Sequence, residues 1–198
     1  ENKPGAGGFI AAEIVARAPP DGYTLLSATS GTFVISPAVY SKLPYDPIKS
    51  FAPIGMCISY SLILVVDGNR GINSLKDLVT FIKANPDKAN YAGSSPLFQL
   101  ATELFMARTG TRLEYIPFKS SQESTSGVLT GQTLMTIIDP GPTLAHIKTG
   151  KLKLLANAAS KRTAEFPDTP TLKELGVDMS VEVFGGLVTT AGTPPAIV

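Results

Sequence analysis

The residues whose types and spacing could do chemistry are few. They are the paired hydroxyls Ser94 and Ser95 ahead of Pro96, Asp139 ahead of Pro140, Gly141 and Pro142, the cation Lys119, one histidine (His146), one cysteine (Cys57), and the glycines of "ENKPGAGG" at the N-terminus. A glycine-rich helix start is a ready anion site, because its first N–H groups are unpaired and carry the positive end of the helix dipole. A dinucleotide fingerprint begun at Gly5 and Gly7 would need Gly or Ala at position 10, which is Ile10, and no G-x-x-x-x-G-K-[ST] follows. Phosphate is therefore not required by these glycines. Ser94 and Ser95 stand at a helix start and offer two hydroxyls with nearby N–H groups, which suits a carboxylate or a plain N-cap equally. Asp139 closes the apolar run "LMTII", where it can cap a helix, form a turn, or accept a bond from a ligand ammonium, hydroxyl or water. Lys119 follows a strand expected at the sheet edge and is read as a rim residue. His146 sits between Ala145 and Ile147 with no H-x-x-x-H, C-x-x-C or G-x-S-x-G spacing around it, so it reads as a solvated helix-face residue, and neither a metal site nor a nucleophilic triad is expected.

The elements that must position these residues alternate in type. Ile10, Ala11, Ile14, Val15 and Ala18 recur at helical spacing, with Glu13 four residues before Arg17, and "PPDG" ends that helix. "YTLLSA" reads as a buried strand followed by the small-residue loop "TSGT", and Tyr40 and Tyr45 as packing residues among prolines. Strands are expected around "PIGMCI" and "SLILVV", with Cys57 as a buried small hydrophobe. Ser74 and Asp77 form a capping-box pair for a helix whose core stripe is Leu75, Leu78, Val79 and Ile82. Strand "NYA", helix 96–108, strand "LEYIP", helix 121–130, strand "TLMTII", helix 141–149 and strand "KLLANA" then follow, the pattern of a parallel, doubly wound sheet. A short helix begun by Pro170 and a last strand "VEVFGGLVTT" complete the reading. The first of these βα strands should lie beside the third with the second at the edge, so that "GSSPLF" and "DPGP" share the ligand end of the sheet.

With 198 residues, 43% hydrophobic, the chain can bury a sizeable core in one large domain or two small lobes. A net charge of +1 with no Lys/Arg run gives no footprint for nucleic acid. Apolar runs are broken by Pro53, Gly55 and serines before reaching bilayer length, nothing at the N-terminus resembles a signal peptide, and one cysteine excludes an internal disulfide.

The order of "ENKPGAGG", "APPDGYTLL", "KLPYDPIKSFAPIG", "NYAGSS", "ATELF", "PFKSS", "HIKTGKLKLLA" and "AGTPP" resembles the Bug family, the extracytoplasmic substrate-binding receptors of tripartite tricarboxylate transporters, nearly end to end. The resemblance implies an α/β, two-lobed periplasmic binding protein of type II (Venus-flytrap) topology, with no enzymatic activity, cofactor or metal. It also implies a periplasmic monomer that hands a small organic carboxylate to membrane permease subunits. Family members begin with a further strand and glycine-rich loop and end with further helices, so a chain truncated at both ends is expected. The first lobe would comprise residues 1–68 and 182–198, and the second 69–181. In the family one strand-to-helix loop per lobe holds the carboxylate, largely through bridging waters. The first-lobe loop would be Ser30, Gly31, Thr32 and Phe33, and the second-lobe loop Ala92, Gly93, Ser94, Ser95 and Phe98, joined by Asp139. "GAGG" becomes a tight helix entry on the cleft rim. Where the family often has histidine this chain has Phe33 and Gln99, and Leu97 and Phe98 crowd the second loop. An acid with one buried carboxylate and an apolar or aromatic body over Phe33 and Phe98 is therefore expected to outbind citrate. Two other readings share the lobes: a receptor that senses its ligand for a signalling partner, and a hydrolase using Ser94 or Ser95, which would lack a nearby base.

Overall fold

The computed structural model describes residues 8–198; Gly5 and Gly7 of the opening cluster lie outside them. The chain divides into two compact units, residues 1–59 with 183–198, and residues 60–182.

The first unit holds helix α1 (Phe9–Ala16), strand β1 (Leu25–Thr29), a helical stretch made of a π-turn (Gly31–Ile35) running into α2 (Ser36–Val39), and strands β2 (Phe51–Ser61) and β8 (Glu182–Thr190). Its sheet has the order β1-β8-β2, with β1 antiparallel to β8. Gly8 begins α1 in a left-handed conformation (φ 93°), and a Cβ there would lie 3.0 Å from Thr32 Oγ1, so both backbone and space call for glycine. Glu13 and Arg17 pair at 2.7 Å as their spacing implies. The core gathers Ala12, Val15, Leu26, Ala28, Tyr45, Phe51 and Val188, with Phe9, Leu43 and Phe33 packed against it. Three expectations change here. β1 is half-buried, alternating with only Leu26 and Ala28 turned inward. "TSGT" opens a helical stretch, not a loop. Cys57 is exposed, on a β2 whose middle residues all face out.

The second unit carries a five-stranded sheet of order β5-β4-β6-β3-β7, from β3 (Ile63–Asp67), β4 (Asn90–Gly93), β5 (Glu114–Pro117), β6 (Met135–Ile138) and β7 (Leu152–Asn157). Helices α3 (Leu75–Ala84), α4 (Pro96–Thr109), α5 (Ser121–Leu129) and α6 (Leu144–Lys148) connect them. The expected neighbours are present: β4 lies between β5 and β6, parallel to both. The sheet is nevertheless mixed, not parallel. β3 enters between β6 and β7, antiparallel to each. Its residues Ile63, Leu64, Val65 and Val66 are fully buried, which an all-apolar run achieves only at a central position covered on both faces. That pairing moves "SLILVV" out of the first lobe, and the boundary falls at Tyr60, not 69.

Three serine caps set the helix starts. Ser74 Oγ accepts from the Asp77 N–H (3.1 Å), Ser95 Oγ from the Phe98 N–H (3.4 Å), and Ser120 Oγ from the Glu123 N–H (3.2 Å). The helix expected at Pro170 does not form. Thr171 and Glu174 make the reciprocal bonds of a capping box, but the Asn157 N–H donates to the Pro170 carbonyl and the Leu172 N–H to the Asn157 carbonyl. This bridge to β7 holds the segment as a series of turns.

Candidate strand-end anion site

Within the second unit, the carboxyl ends of β4 and β6 lie side by side, with Ala92 opposite Thr136. Ser94 and Asp139 start the loops beyond them. If both backbones kept strand spacing, the two residues would be about 6 Å apart, from about 4.8 Å between strands and about 3.3 Å along them. The anticipated residues divide into two groups there. Ala92 and Gly93 are buried supports: the Ala92 carbonyl accepts from Thr136 Oγ1 (2.9 Å), and the Gly93 carbonyl accepts from the Phe118 N–H (2.9 Å) and the Tyr115 hydroxyl (3.3 Å). A Cβ on Gly93 would fall 2.9 Å from the Tyr115 ring, so glycine admits that ring. Ser94 and Ser95 are half-buried and open the 14-residue α4. Ser95 uses its oxygen to cap Phe98, leaving its hydroxyl proton to donate outward. Pro96 has no N–H, so among the described residues the Leu97 N–H is the remaining unpaired donor of this first turn. Phe98 is only 7% exposed, turned into the unit's interior.

Asp139 is half-buried, and its Oδ1 accepts from Ser121 Oγ at 2.7 Å. Ser121 is absent from the sequence-based set, as is Tyr60, a half-buried residue near the end of β2. Burial, and then the Asp139 charge, push the Tyr60 phenol above its ordinary value, so it stays protonated at neutral pH. A topological signal for Ser121 existed. The β5-to-β6 crossover must carry α5 over β4, and α5 packs on β4, β6 and β3, bringing its first residue to the end of β6. Lys119 is exposed, its N–H capped by Glu123 (3.1 Å).

In the first unit, Ser30 is 5% exposed and its Oγ has no hydrogen-bond partner among the described residues. An unpartnered buried hydroxyl marks a place for a water or a ligand atom. It precedes the π-turn at Gly31, where the N–H and Oγ of Ser36 both go to the Gly31 carbonyl. π-turns of this kind recur at functional sites. Thr32 has partners within the unit: its carbonyl accepts from the buried Tyr45 hydroxyl (2.8 Å), and its Oγ1 lies 3.3 Å from Thr29 Oγ1. The Phe33 ring packs edge-on against Phe51 (4.9 Å between centroids) and beside Tyr45 (6.2 Å). Phe98 is thus buried and Phe33 half-buried, each with packing partners within its own unit.

Two open grooves of about 490 and 460 Å³ lie elsewhere on the second unit, lined by residues such as Lys153 and Phe166 or Lys76 and Arg108. They contain none of the anticipated site residues, so the assignment rests on the strand-end groups and not on concavity. Among the described residues no cluster of three or more His, Cys, Asp and Glu could hold a metal, and no helix is long and apolar enough to cross a membrane.

These features agree with what the chain is similar to. A protein from Cupriavidus necator, described as "UPF0065 protein in gbd 5'region", is 36% identical over 100% of this chain, which spans 60% of that relative's length. An R. palustris protein solved with adipate is 28% identical with a TM-score of 0.92, covering 100% of this chain and 67% of that one. The periplasmic binding protein BugD is 32% identical with a TM-score of 0.87, over 100% and 67% of the two chains. The family model described as "Tripartite tricarboxylate transporter family receptor" matches residues 1–198, and the chain belongs to that family.

Proposed function

We propose that this protein is an extracytoplasmic receptor that captures a small organic carboxylate for a tripartite tricarboxylate-type transporter. The observation that carries the reading is the donor set after β4, unpaired among the described residues: the hydroxyl protons of Ser94 and Ser95 and the Leu97 N–H, grouped at the positive end of a 14-residue helix. Hydroxyl and N–H donors replace the water shell of a carboxylate without a fixed cation. Ala92 and Gly93 support this loop from the strand, and Asp139 takes a ligand or water donor beside it. Ser30, Gly31 and Thr32 are proposed as further ligand contacts, Ser30 through its unpartnered hydroxyl. Phe33 and Phe98 act as packing behind the two segments. The role is binding, not turnover, in the periplasm, as a monomer that delivers ligand to membrane permease subunits. Membership of the receptor family and the adipate in a structural neighbour support the ligand class.

The test is a thermal-shift screen of the full-length protein against mono-, di- and tricarboxylates. A ligand present at a hundredfold excess over its dissociation constant stabilises by about 2.7 kcal/mol, an easily seen rise in melting temperature. Failure of every carboxylate to shift the transition refutes the reading.

A further inference from the structure

We propose that Ser121 holds Asp139 as an unsatisfied hydrogen-bond acceptor, so that the site selects carboxylic acids bearing a hydroxyl or ammonium group over unsubstituted acids of the same length. The inference rests on the carboxylate-binding reading above and names the class of acid.

An aspartate after a strand ordinarily spends its oxygens on the N–H groups of the turn that follows. Here the sequence denies it that use. Residues 140 and 142 are proline, with no N–H, and among the described residues the Gly141 N–H makes no bond to Asp139. The short 3-10 turn Gly141–Thr143 starts after Pro140 and has no side-chain cap. Asp139 Oδ2 lies over Gly141, where a Cβ would come within 3.6 Å of it. The one bond to the carboxylate among the described residues is from Ser121 Oγ, at 2.7 Å, and no described cation lies within ion-pair distance. An ionised carboxylate accepts about four bonds, so most of its capacity remains open in a half-buried position. Leaving that capacity unfilled on ligand binding is unfavourable.

What can fill it is restricted. A second carboxylate brings only acceptors and a like charge, whereas a hydroxyl or ammonium brings a donor. Ser121 fixes which oxygen is occupied and therefore which one faces the ligand. Ser94 and Ser95, at the end of the adjacent strand, take the ligand's own carboxylate. Carboxylate and donor are thus received at neighbouring strand ends, which suits a hydroxy or amino acid with the two groups close together.

Calorimetric titration of the full-length protein with succinate, malate and aspartate tests this, since the three differ only in the substituent on one carbon. Malate or aspartate should bind at least tenfold tighter than succinate, and which of the two leads tells hydroxyl from ammonium. Asp139→Asn, whose amide both donates and accepts, should bring the preference below threefold. Ser121→Ala should weaken it without changing the melting temperature of the unliganded protein appreciably, and Ser121→Thr should restore it. Succinate binding as tightly as malate and aspartate to the unmutated protein would overturn the inference, showing that a water satisfies Asp139. A preference untouched by both Asp139→Asn and Ser121→Ala would overturn it as well. If no carboxylate binds at all, the receptor reading itself falls, an outcome distinct from equal binding.

Discussion

Replacing Ser95 by alanine separates the two uses of its hydroxyl. As an N-cap the oxygen accepts from the Phe98 N–H at 3.4 Å, a long bond, so its loss should destabilise the protein by about 0.5–1 kcal/mol, the lower part of the range for caps. As a ligand donor the same group gives its proton to a carboxylate, and bonds to a charged partner contribute about 1.5–3 kcal/mol, a roughly 10- to 150-fold loss of affinity. Ser74→Ala is the matched control. Its cap bond from the Asp77 N–H is shorter, 3.1 Å, and Asp77 Oδ2 in turn accepts from the Asn73 N–H, so its removal should destabilise by about 1 kcal/mol or more. α3 is not among the elements that frame the strand-end loops, so carboxylate affinity should stay within twofold. Urea unfolding gives the stabilities, and calorimetric titration with the best ligand of the carboxylate screen gives the affinities. The reasoning is refuted if Ser95→Ala and Ser74→Ala lose affinity equally, or if Ser95→Ala loses less than threefold. Ser95 would then be a cap and nothing more.

Lys119→Ala should leave carboxylate affinity within twofold, because the side chain is exposed and a rim charge is screened by water; the same calorimetric titration would reveal a larger loss and place this cation at the ligand. Tyr45→Phe should lower stability by about 1–1.5 kcal/mol in urea unfolding, since it strands the Thr32 carbonyl in a buried site, and an unchanged midpoint would mean that carbonyl finds another partner. Acid should destabilise the protein through Asp77, Glu174 and Glu182, whose carboxyls are held below the usual range by hydrogen bonds from Ser74, from the Thr171 N–H with Arg162, and from Ser160. A pKa depressed on folding contributes stability above the unfolded value of about 4 that is lost as pH falls through the folded value, so the urea midpoint should hold from pH 7 to 5 and drop below about 4.5. Glu182→Gln should make that drop shallower, and an identical profile would remove Glu182 from the account.

The alternation of strands and helices from Ser74 onward was legible because each signal has a local cause. Serine caps at 74, 95 and 120 fall where apolar periodicity begins, and the parallel neighbours β5, β4 and β6 follow from the crossover rule. β3 escaped because an all-apolar run records burial on both faces but not strand direction. Its antiparallel insertion between β6 and β7 is decided by the whole sheet. The helix expected after Pro170 failed for the opposite reason. Its local signals, Pro170 and the Thr171–Glu174 pair, are real, but the segment is bridged to Asn157 at its start and stops at Gly176 (φ 85°), which leaves room for little more than the turn closed by the Leu175 N–H on the Thr171 carbonyl. Cys57 and its apolar neighbours Ile54, Met56 and Ile58 are exposed along β2, a case where composition reports propensity and not position.

The site was legible to the extent that topology places loops, and illegible where it depends on which side chains meet. The carboxyl-end rule brought Ser94, Ser95 and Asp139 to neighbouring strand ends, since it needs only strand order. Phe33 and Phe98 were assigned to the ligand because Phe33 stands where the resembled family often has histidine and Phe98 crowds the second-lobe loop, yet apolar rings beside a site have two destinations. Phe33 went to Phe51 and Tyr45, and Phe98 to the interior of its own unit. Ser121, 18 positions from Asp139, carries no local mark, because only the path of α5 brings the two together. Asp139 is the instructive residue, for of its alternatives, helix cap, turn former or ligand acceptor, the cap could be set aside without coordinates. A cap needs N–H groups in the residues that follow, and Asp139 is followed by two prolines in three positions. The structure accordingly shows the carboxylate bonded to the hydroxyl of Ser121 and the turn that follows starting after Pro140 with no side-chain cap. Prolines that remove the local donors keep an acidic group available, and a half-buried acid kept available at a strand end calls for a donor from outside the chain.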